Sequence, residues 1–600
     1  MQQPPYDQST RSLRAGRTNP SLPSVRLPTT PVYVPAAPRQ RWPQLATGRR
    51  VSPLRRVFWQ FMLFGFLLIL CFWLLFPLFG DALPGSFVAQ ALPRAFPWLV
   101  DFSWTRLFPG FVALLSRVPW LDLQASSPVG FANLALMLLG IAGLLLLLAT
   151  NAARFAAKER LPKGPMRLLL LVVCLFTLLF GVMFALLPGN VSQAALLSGL
   201  YGRLILIYHA NPYLVSAGSL AGDPFYRALT PGSFVSPLAG PLWLDLTVLP
   251  AWLAQNSPVT ALLTFRAIGL GLHILNALLL WSVLAKLKPE TRLTGTLFYA
   301  WNPAILLLGM SEAQMDLATI FFLLLGAFLM QRRSLLLSWT CFALAALINP
   351  LCLLLLPLFL RALHIEMRQT SRGGRTLHWL LYVLLFAVIV VLAYAPYWSG
   401  LGINGIILHL GTAFWQNGAQ SSLLAALSKL PFATWPPTGW LLVPSHWLFL
   451  PAVIVGGLLL LGIWIIDTLE LALLFGSWIF LALFILLPVN APWLILLPLA
   501  LALASSSRRT ALLAHLLAVG ALVAYCLAYW PDHWSGLALV TIGLVVIIWG
   551  WTLFFLSTWQ MTHHEDEDEE QPTRKRVSLS RPTWPSRPAA WPSRPGSRRP

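Results

Sequence analysis

Runs of roughly 20 apolar residues recur along almost the whole chain, and nothing else in the sequence constrains the fold so strongly. That is the length a helix needs to cross ~30 Å of hydrocarbon. In lipid, each backbone amide must find its partner within its own segment, so such runs fold as helices rather than open strands. Only 10% of the 600 residues are charged, against about 25% in a soluble chain. The expected fold class is therefore all-α, a polytopic integral membrane protein.

Charge placement sets the expected topology. Residues 1–56 hold ten arginines against one aspartate, and residues 558–600 hold eight Lys and Arg. Positive excess marks the cytoplasmic side of a membrane. Both ends are thus expected there, as disordered tails flanking a transmembrane domain at 57–557. The second tail carries the acidic run HHEDEDEE and the repeated WPSRP, blocks that stay solvated. On this reading the net charge of +21 serves topology and attraction to anionic membrane lipids, with no nucleic acid as partner. The run 334–360 has basic residues on both flanks and is expected to turn back at Asn349-Pro350. Counting it as a hairpin gives about fourteen crossings. Residues 188–257 and 397–443 then fall on the exterior side. All five cysteines lie inside apolar runs, which predicts core packing rather than disulfides.

Polar chemistry concentrates between Leu200 and Trp243. Arg203 and His209 stand six apart there, on a helix expected to end at Asn211-Pro212, and offer a planar fork and a second donor suited to phosphate. They could equally be interfacial anchors. Asp223 precedes Pro224 in a turn-forming setting. On the exterior side the chain offers few carboxylates to act as a base: Asp81, Asp101, Asp122, Asp223, Asp245, Glu312, Asp316 and Asp532. Glu312 and Asp316 would share one helical face if a helix began by Ser311, with Ser311 as its cap. They read either as capping acids or as ligand contacts. Arg266 and His273 lie within one span, seven apart. An arginine there must pair with an acid, reach the interface, or recognise an anion. No cofactor is evident, no ligand cluster of His, Cys and carboxylate stands out, and the sequence leaves room for a divalent cation.

Several short motifs, in order, resemble those of polytopic glycosyltransferases of the GT-C class, in particular the mannosyltransferase-like glycosyltransferase family 87. They are YGR (Tyr201–Arg203), then Tyr208 with NPY (Asn211–Tyr213), DP (Asp223-Pro224) and SPLAGPLW (Ser236–Trp243). WNP (Trp301–Pro303), EAQMD (Glu312–Asp316), the run around Asn349 and APYWSG around Tyr397 follow. Together they cover about residues 165–400. The resemblance implies transfer of a hexose, mannose by analogy, from a polyprenyl-phosphate donor to a lipid or glycan acceptor on the exterior face of a bacterial plasma membrane. It implies a base for the acceptor hydroxyl, a part open here to Asp223 or to one of Glu312 and Asp316, unless the chain is a non-catalytic descendant of such enzymes. It implies substrate contacts from Arg203, His209, Asn211, Tyr213, Trp243, Arg266, Glu312 and Asn349. The chain also departs from the family pattern. The aspartate and tyrosine usual before YGR are Ala194 and Ser198, the tyrosine usual before GPLW is Ala239, and a lysine of the later motif is Asn349. Two readings of another class stay open beside it, a transporter or lipid flippase and a non-catalytic membrane scaffold.

Overall fold

The computed structural model describes residues 53–527 except 83–85, 119–120, 122, 124–127, 159–162, 190–192, 216–219, 230–236, 238, 368–371, 406–447, 488–491 and 506. The expected tails, the apolar run at 536–557, Asp122, Asp532 and most of the loop 397–443 lie outside the described residues.

All regular structure among the described residues is helical. Among the described residues six helices are long and apolar enough to cross a membrane: Leu54–Phe79, Asn133–Ala157, Gly164–Ala185, Pro258–Leu287, Thr376–Tyr397 and Leu469–Leu486. A seventh results if Arg292–Ala300 and Ile305–Ser311, bent by 58° at their junction, form one span. Large apolar side chains face outward from these and neighbouring helices, among them Leu171, Val391, Leu460 and Trp464. Such a surface costs roughly 25 cal/mol per Å² in water and nothing of the kind in lipid. The chain is a membrane protein, all-helical in its described residues. Against about fourteen expected crossings, the described residues hold six such helices, or seven with the bent pair, and the expected crossing at 536–557 lies outside them. Asp316–Gln331, Leu335–Ile348, Phe449–Ile465 and Pro492–Ala504 are apolar but shorter.

Much of the interruption traces to one repeated dipeptide, an Asn or Asp followed by Pro. Proline has no N–H to lose at a helix start, and its φ is already helical. The Asx side chain then accepts the first free N–H two residues on. All four such units in the described chain do this. Asn211 Oδ1 accepts from Tyr213 N at 3.1 Å, Asp223 Oδ1 from Phe225 N at 2.7 Å, Asn302 Oδ1 from Ala304 N at 3.0 Å, and Asn349 Oδ1 from Leu351 N at 3.1 Å. In each case the other side-chain atom reaches a distant element. Asn211 Nδ2 donates to Tyr397 O (2.8 Å), Asp223 Oδ2 meets Arg203 Nε (2.9 Å), Asn302 Nδ2 faces His515 Nδ1 (3.4 Å), and Asn349 Nδ2 donates to Asp316 Oδ1 (3.0 Å). Three of these units start helices and Asn211-Pro212 starts a turn, and each staples its segment to a distant element at the same point.

Aromatic packing fixes the bend at 301–304. The Trp301 ring meets Phe61, Phe176 and Phe180 edge-on, and its indole donates to Val173 O at 3.1 Å. The break in the helix is therefore wedged against the first and third spans.

Two glycines of the quoted motifs permit close backbone approach. A Cβ on Gly202 would collide with the Thr247 carbonyl oxygen, and one on Gly240 with that of Leu347. Gly240 N in turn donates to Ile348 O at 2.9 Å. Because the obstructing atom at Gly240 is backbone, the contact cannot be relieved by a side-chain rotation. Gly240→Ala is expected to destabilise by about 1–3 kcal/mol, read as a lower thermal midpoint of the protein in lipid nanodiscs. An unchanged midpoint would show that the 240–348 contact is loose.

Candidate functional site

The candidate residues fall into three groups. The first surrounds the break between Ile305–Ser311 and Asp316–Gln331. Glu312 and Asp316 do not share a helical face here. Ile305–Ser311 is a π-helical turn that ends at Glu312, the chain turns through Ala313 at φ 52°, and Asp316 opens the next helix. Ser311 belongs to the end of the first helix and does not cap the second. The wider π turn and the left-handed residue break the 3.6-residue period on which the i, i+4 expectation rested. Glu312 accepts a hydrogen bond from the Tyr525 hydroxyl, and Asp316 accepts from Asn349, so the two carboxylates are held by different elements. Both are buried, as are Arg266 and Asn349. Arg266 donates from Nε to Ser311 O (2.8 Å) and from Nη1 to Ala185 O (3.0 Å) and Leu187 O (2.8 Å). It binds the carbonyl ends of two helices, where a cation is favoured.

The second group is built on the helix Ala194–Leu206. This helix ends at Leu206, short of the expected stop at Asn211-Pro212. Ala210 N bonds back to Leu204 O at 2.9 Å, with His209 in the left-handed region at φ 49°, a C-terminal capping turn. Arg203 and His209 therefore part company. Arg203 is buried, with Nε on Asp223 Oδ2 at 2.9 Å, Nη1 on the Gln255 carbonyl and on Asn256 Oδ1 at 3.1 Å, and its guanidinium 4.8 Å above the Phe225 ring. His209 is exposed. Asp223, also buried, caps the helix Pro224–Ala228 and takes a further bond from the Tyr208 hydroxyl at 2.9 Å. Partial burial, and next the bond to Asp223, raise the Tyr208 phenol above its ordinary value. Both Asp223 oxygens thus have partners, which suits a joint between helices better than a base open to an acceptor.

The third group joins pieces of the chain that are far apart in sequence. Tyr397 donates to Asp245 Oδ1 at 2.6 Å, and its ring packs edge-on against Tyr213 at 5.6 Å. Tyr213 donates to Ala239 O at 2.9 Å, while Asn211 holds the Tyr397 backbone. Trp243, two residues before Asp245, donates to Ser198 Oγ at 3.3 Å. The NPY and APYW motifs thus meet at Tyr397, which bonds the Asp245 carboxylate. Asp245 is open to its surroundings on one side. Packing on the other side removes solvent and raises its pKa above the usual aspartate value, an effect the Tyr397 bond partly offsets. Burial, then the neighbouring Tyr394, Tyr397 and Asp245, keep the Tyr213 phenol protonated well past its ordinary range. Asp245 stood in the inventory of exterior acids without being singled out, because its partner Tyr397 lies 152 residues away.

Among the described residues no group of three or more His, Cys, Asp or Glu is placed to hold a metal ion. No family model, no curated protein and no solved structure matches the chain, so its chemistry rests on its own residues.

Proposed function

We propose that this membrane protein transfers a hexose from a polyprenyl-phosphate donor to a lipid or glycan acceptor at the exterior face, with Asp245 as the general base. The observation that carries the reading is the bond of Tyr397 to Asp245, with Asn211 and Tyr213 of the NPY motif held against Tyr397. Asp245 replaces Asp223 and Asp316 in the catalytic role because it alone of the three is open to an incoming hydroxyl. It takes the acceptor proton as the acceptor oxygen attacks the sugar's anomeric carbon. The bond from that carbon to the phosphate oxygen breaks, and polyprenyl phosphate leaves with the electron pair. The raised pKa makes Asp245 a stronger base than an ordinary aspartate. His209, exposed and two residues before the Asn211 that holds Tyr397, supplies a donor to the departing phosphate.

The test is incubation of the purified protein in nanodiscs with radiolabelled polyprenyl-phosphate hexoses and envelope lipid or glycan acceptors. Label is expected in the acceptor, and Asp245→Asn is expected to lower kcat by about 100-fold or more. The base works only when deprotonated, so activity should be lost as pH falls through a pKa lying above that of an ordinary aspartate. Absence of transfer across the donor panel would sink this reading. A second reading, a transporter or lipid flippase, draws on the bent helix pair at 292–311 and the buried charged groups beside it, features that transporters place at mid-membrane. Flipping or uptake by proteoliposomes, without transfer of label, would select it.

A further inference from the structure

Between Phe96 and Leu115 the chain forms three helices too short to cross a membrane: Trp98–Asp101, Trp104–Leu107 and Pro109–Leu115. Local chemistry sets the breaks. Pro97 and Pro109 lack the N–H that continues a helix and are suited to open one, and Ser103 holds an extended backbone before the second helix. One side of the segment is fastened to the bundle. Trp104 is buried, its indole donates to Leu74 O at 2.7 Å, and its ring meets Phe111 edge-on at 5.9 Å. The Trp73 indole donates to Phe102 O at 3.3 Å, and Val112 and Leu115 pack on the same core as Trp104. The other side is bare. Trp98, Phe102, Leu107, Phe108, Phe111 and Leu114 are each about half exposed or more. Arg94, Arg106 and Arg117 are exposed along the same stretch, as is Asp101. Among the described residues no ion pair joins these arginines to an acid, so positive charge is in excess.

The two indole bonds also set the depth of the segment. Leu74 and Trp73 lie five and six residues inside the end of the first span at Phe79, ~8–9 Å along its axis. Two constraints meet there. Helices of four to seven residues leave most of their terminal N–H and C=O groups without intrahelical partners, which the hydrocarbon core does not tolerate. A contiguous face of six large apolar side chains does not suit water either. The headgroup boundary satisfies both, because water and phosphates reach the backbone while the side chains enter hydrocarbon.

We propose that residues 98–117 form an interfacial ledge that binds anionic phospholipid. Phe102, Leu107, Phe108, Phe111 and Leu114 lie among the first acyl carbons of the leaflet at the Phe79 end of the span, the exterior leaflet on the charge reading of the topology. Arg106 and Arg117 hold the lipid phosphates above them. A guanidinium offers a planar pair of donors that matches a phosphate, and the unpaired positive charge selects lipids of net negative charge over zwitterionic ones. Val88 and Leu92 of the preceding helix Phe87–Ala95 pack into the cluster that contains Trp243, so the ledge is anchored at its upstream end as well as through its indole bonds.

The experiment is photolabelling of the full chain in nanodiscs of phosphatidylcholine and phosphatidylglycerol, read residue by residue by mass spectrometry. One lipid at a time carries a diazirine, either beside the ester or at the methyl end of an acyl chain. The probe beside the ester is expected to label Phe102, Phe108 and Phe111 several-fold more than the methyl-end probe does. Leu175, exposed at the middle of Gly164–Ala185, should show the reverse. No label on the three phenylalanines from either probe would place the face in water or against a protein, and would overturn the proposal. Stronger labelling by the methyl-end probe would overturn the interfacial depth. Phosphatidylglycerol probes should label the segment several-fold more than phosphatidylcholine probes. Arg106→Gln with Arg117→Gln, both at exposed positions, should make the two lipids equal while the depth preference persists. A phosphatidylglycerol preference that survives both substitutions would overturn the arginines as phosphate ligands. None of these readouts uses transfer activity, so the result is independent of the glycosyltransferase reading.

Discussion

Arg203→Ala is expected to destabilise the 194–257 segment by about 3–5 kcal/mol, the usual cost of removing one partner from a buried ion pair. Arg203 ties three elements together. It rises from the helix Ala194–Leu206, pairs with Asp223 at the start of Pro224–Ala228, and binds the Gln255 carbonyl and Asn256 Oδ1 beyond the helix Pro241–Ala254. Its loss leaves the Asp223 carboxylate buried with only Tyr208 and the Phe225 amide to hold it. The measurement is the thermal midpoint in nanodiscs, together with the rate of proteolysis within 208–229. Arg203→Lys should rescue little, because a single ammonium cannot follow the fork that reaches both Asp223 and the 255–256 turn. Pairing Arg203→Met with Asp223→Leu should cost less than the two single changes added, since it leaves no unmatched charge. Wild-type stability of Arg203→Ala, with loss only of donor binding, would instead return this arginine to phosphate recognition.

The contrast between Arg203 and Asn349 shows which parts of the chain can be read from sequence. Of the hairpin expected at Asn349-Pro350, the structure shows the break, which local chemistry alone predicts: Leu335–Ile348 ends there in a 3-10 turn. Asx-Pro units act within three residues, so nothing distant is needed to recognise them. Arg203 is conspicuous in sequence as a cation, but its role depends on Asp223, Gln255 and Asn256, at separations of 20 to 53 residues. Asp245 is the extreme case. It sits in an apolar helix with no neighbouring motif residue except Trp243, and only the fold brings Tyr397 to it. The Glu312–Asp316 spacing fails for a different reason. Regular helical period is a sound assumption until a π turn and a left-handed residue intervene, and Ala313 carries no mark of either.

Arg266→Met is the second large effect, expected to cost about 3 kcal/mol or more through three carbonyls stripped of their donor, at ~1–3 kcal/mol each. The sequence suggests that an arginine within a span pairs with an acid, reaches the interface or holds an anion. The structure gives it the carbonyls of Ala185, Leu187 and Ser311. This is a helix-capping role carried out inside the helical bundle: the ends of Lys163–Ala185 and Ile305–Ser311 both leave acceptors without intrahelical partners. A methionine of similar volume fills the space and removes the cost of burying a charge, yet cannot donate to any of the three oxygens. The net sign is therefore set by the carbonyls, because water cannot reach them in the bundle. Arg266→Lys should recover part of the loss, since an ammonium reaches one or two of the carbonyls but does not span all three. Steric trapping or thermal denaturation in nanodiscs measures the difference. If Arg266→Met leaves the protein as stable as wild type but unable to bind a polyprenyl-phosphate sugar, the guanidinium serves an anion and not the helix ends.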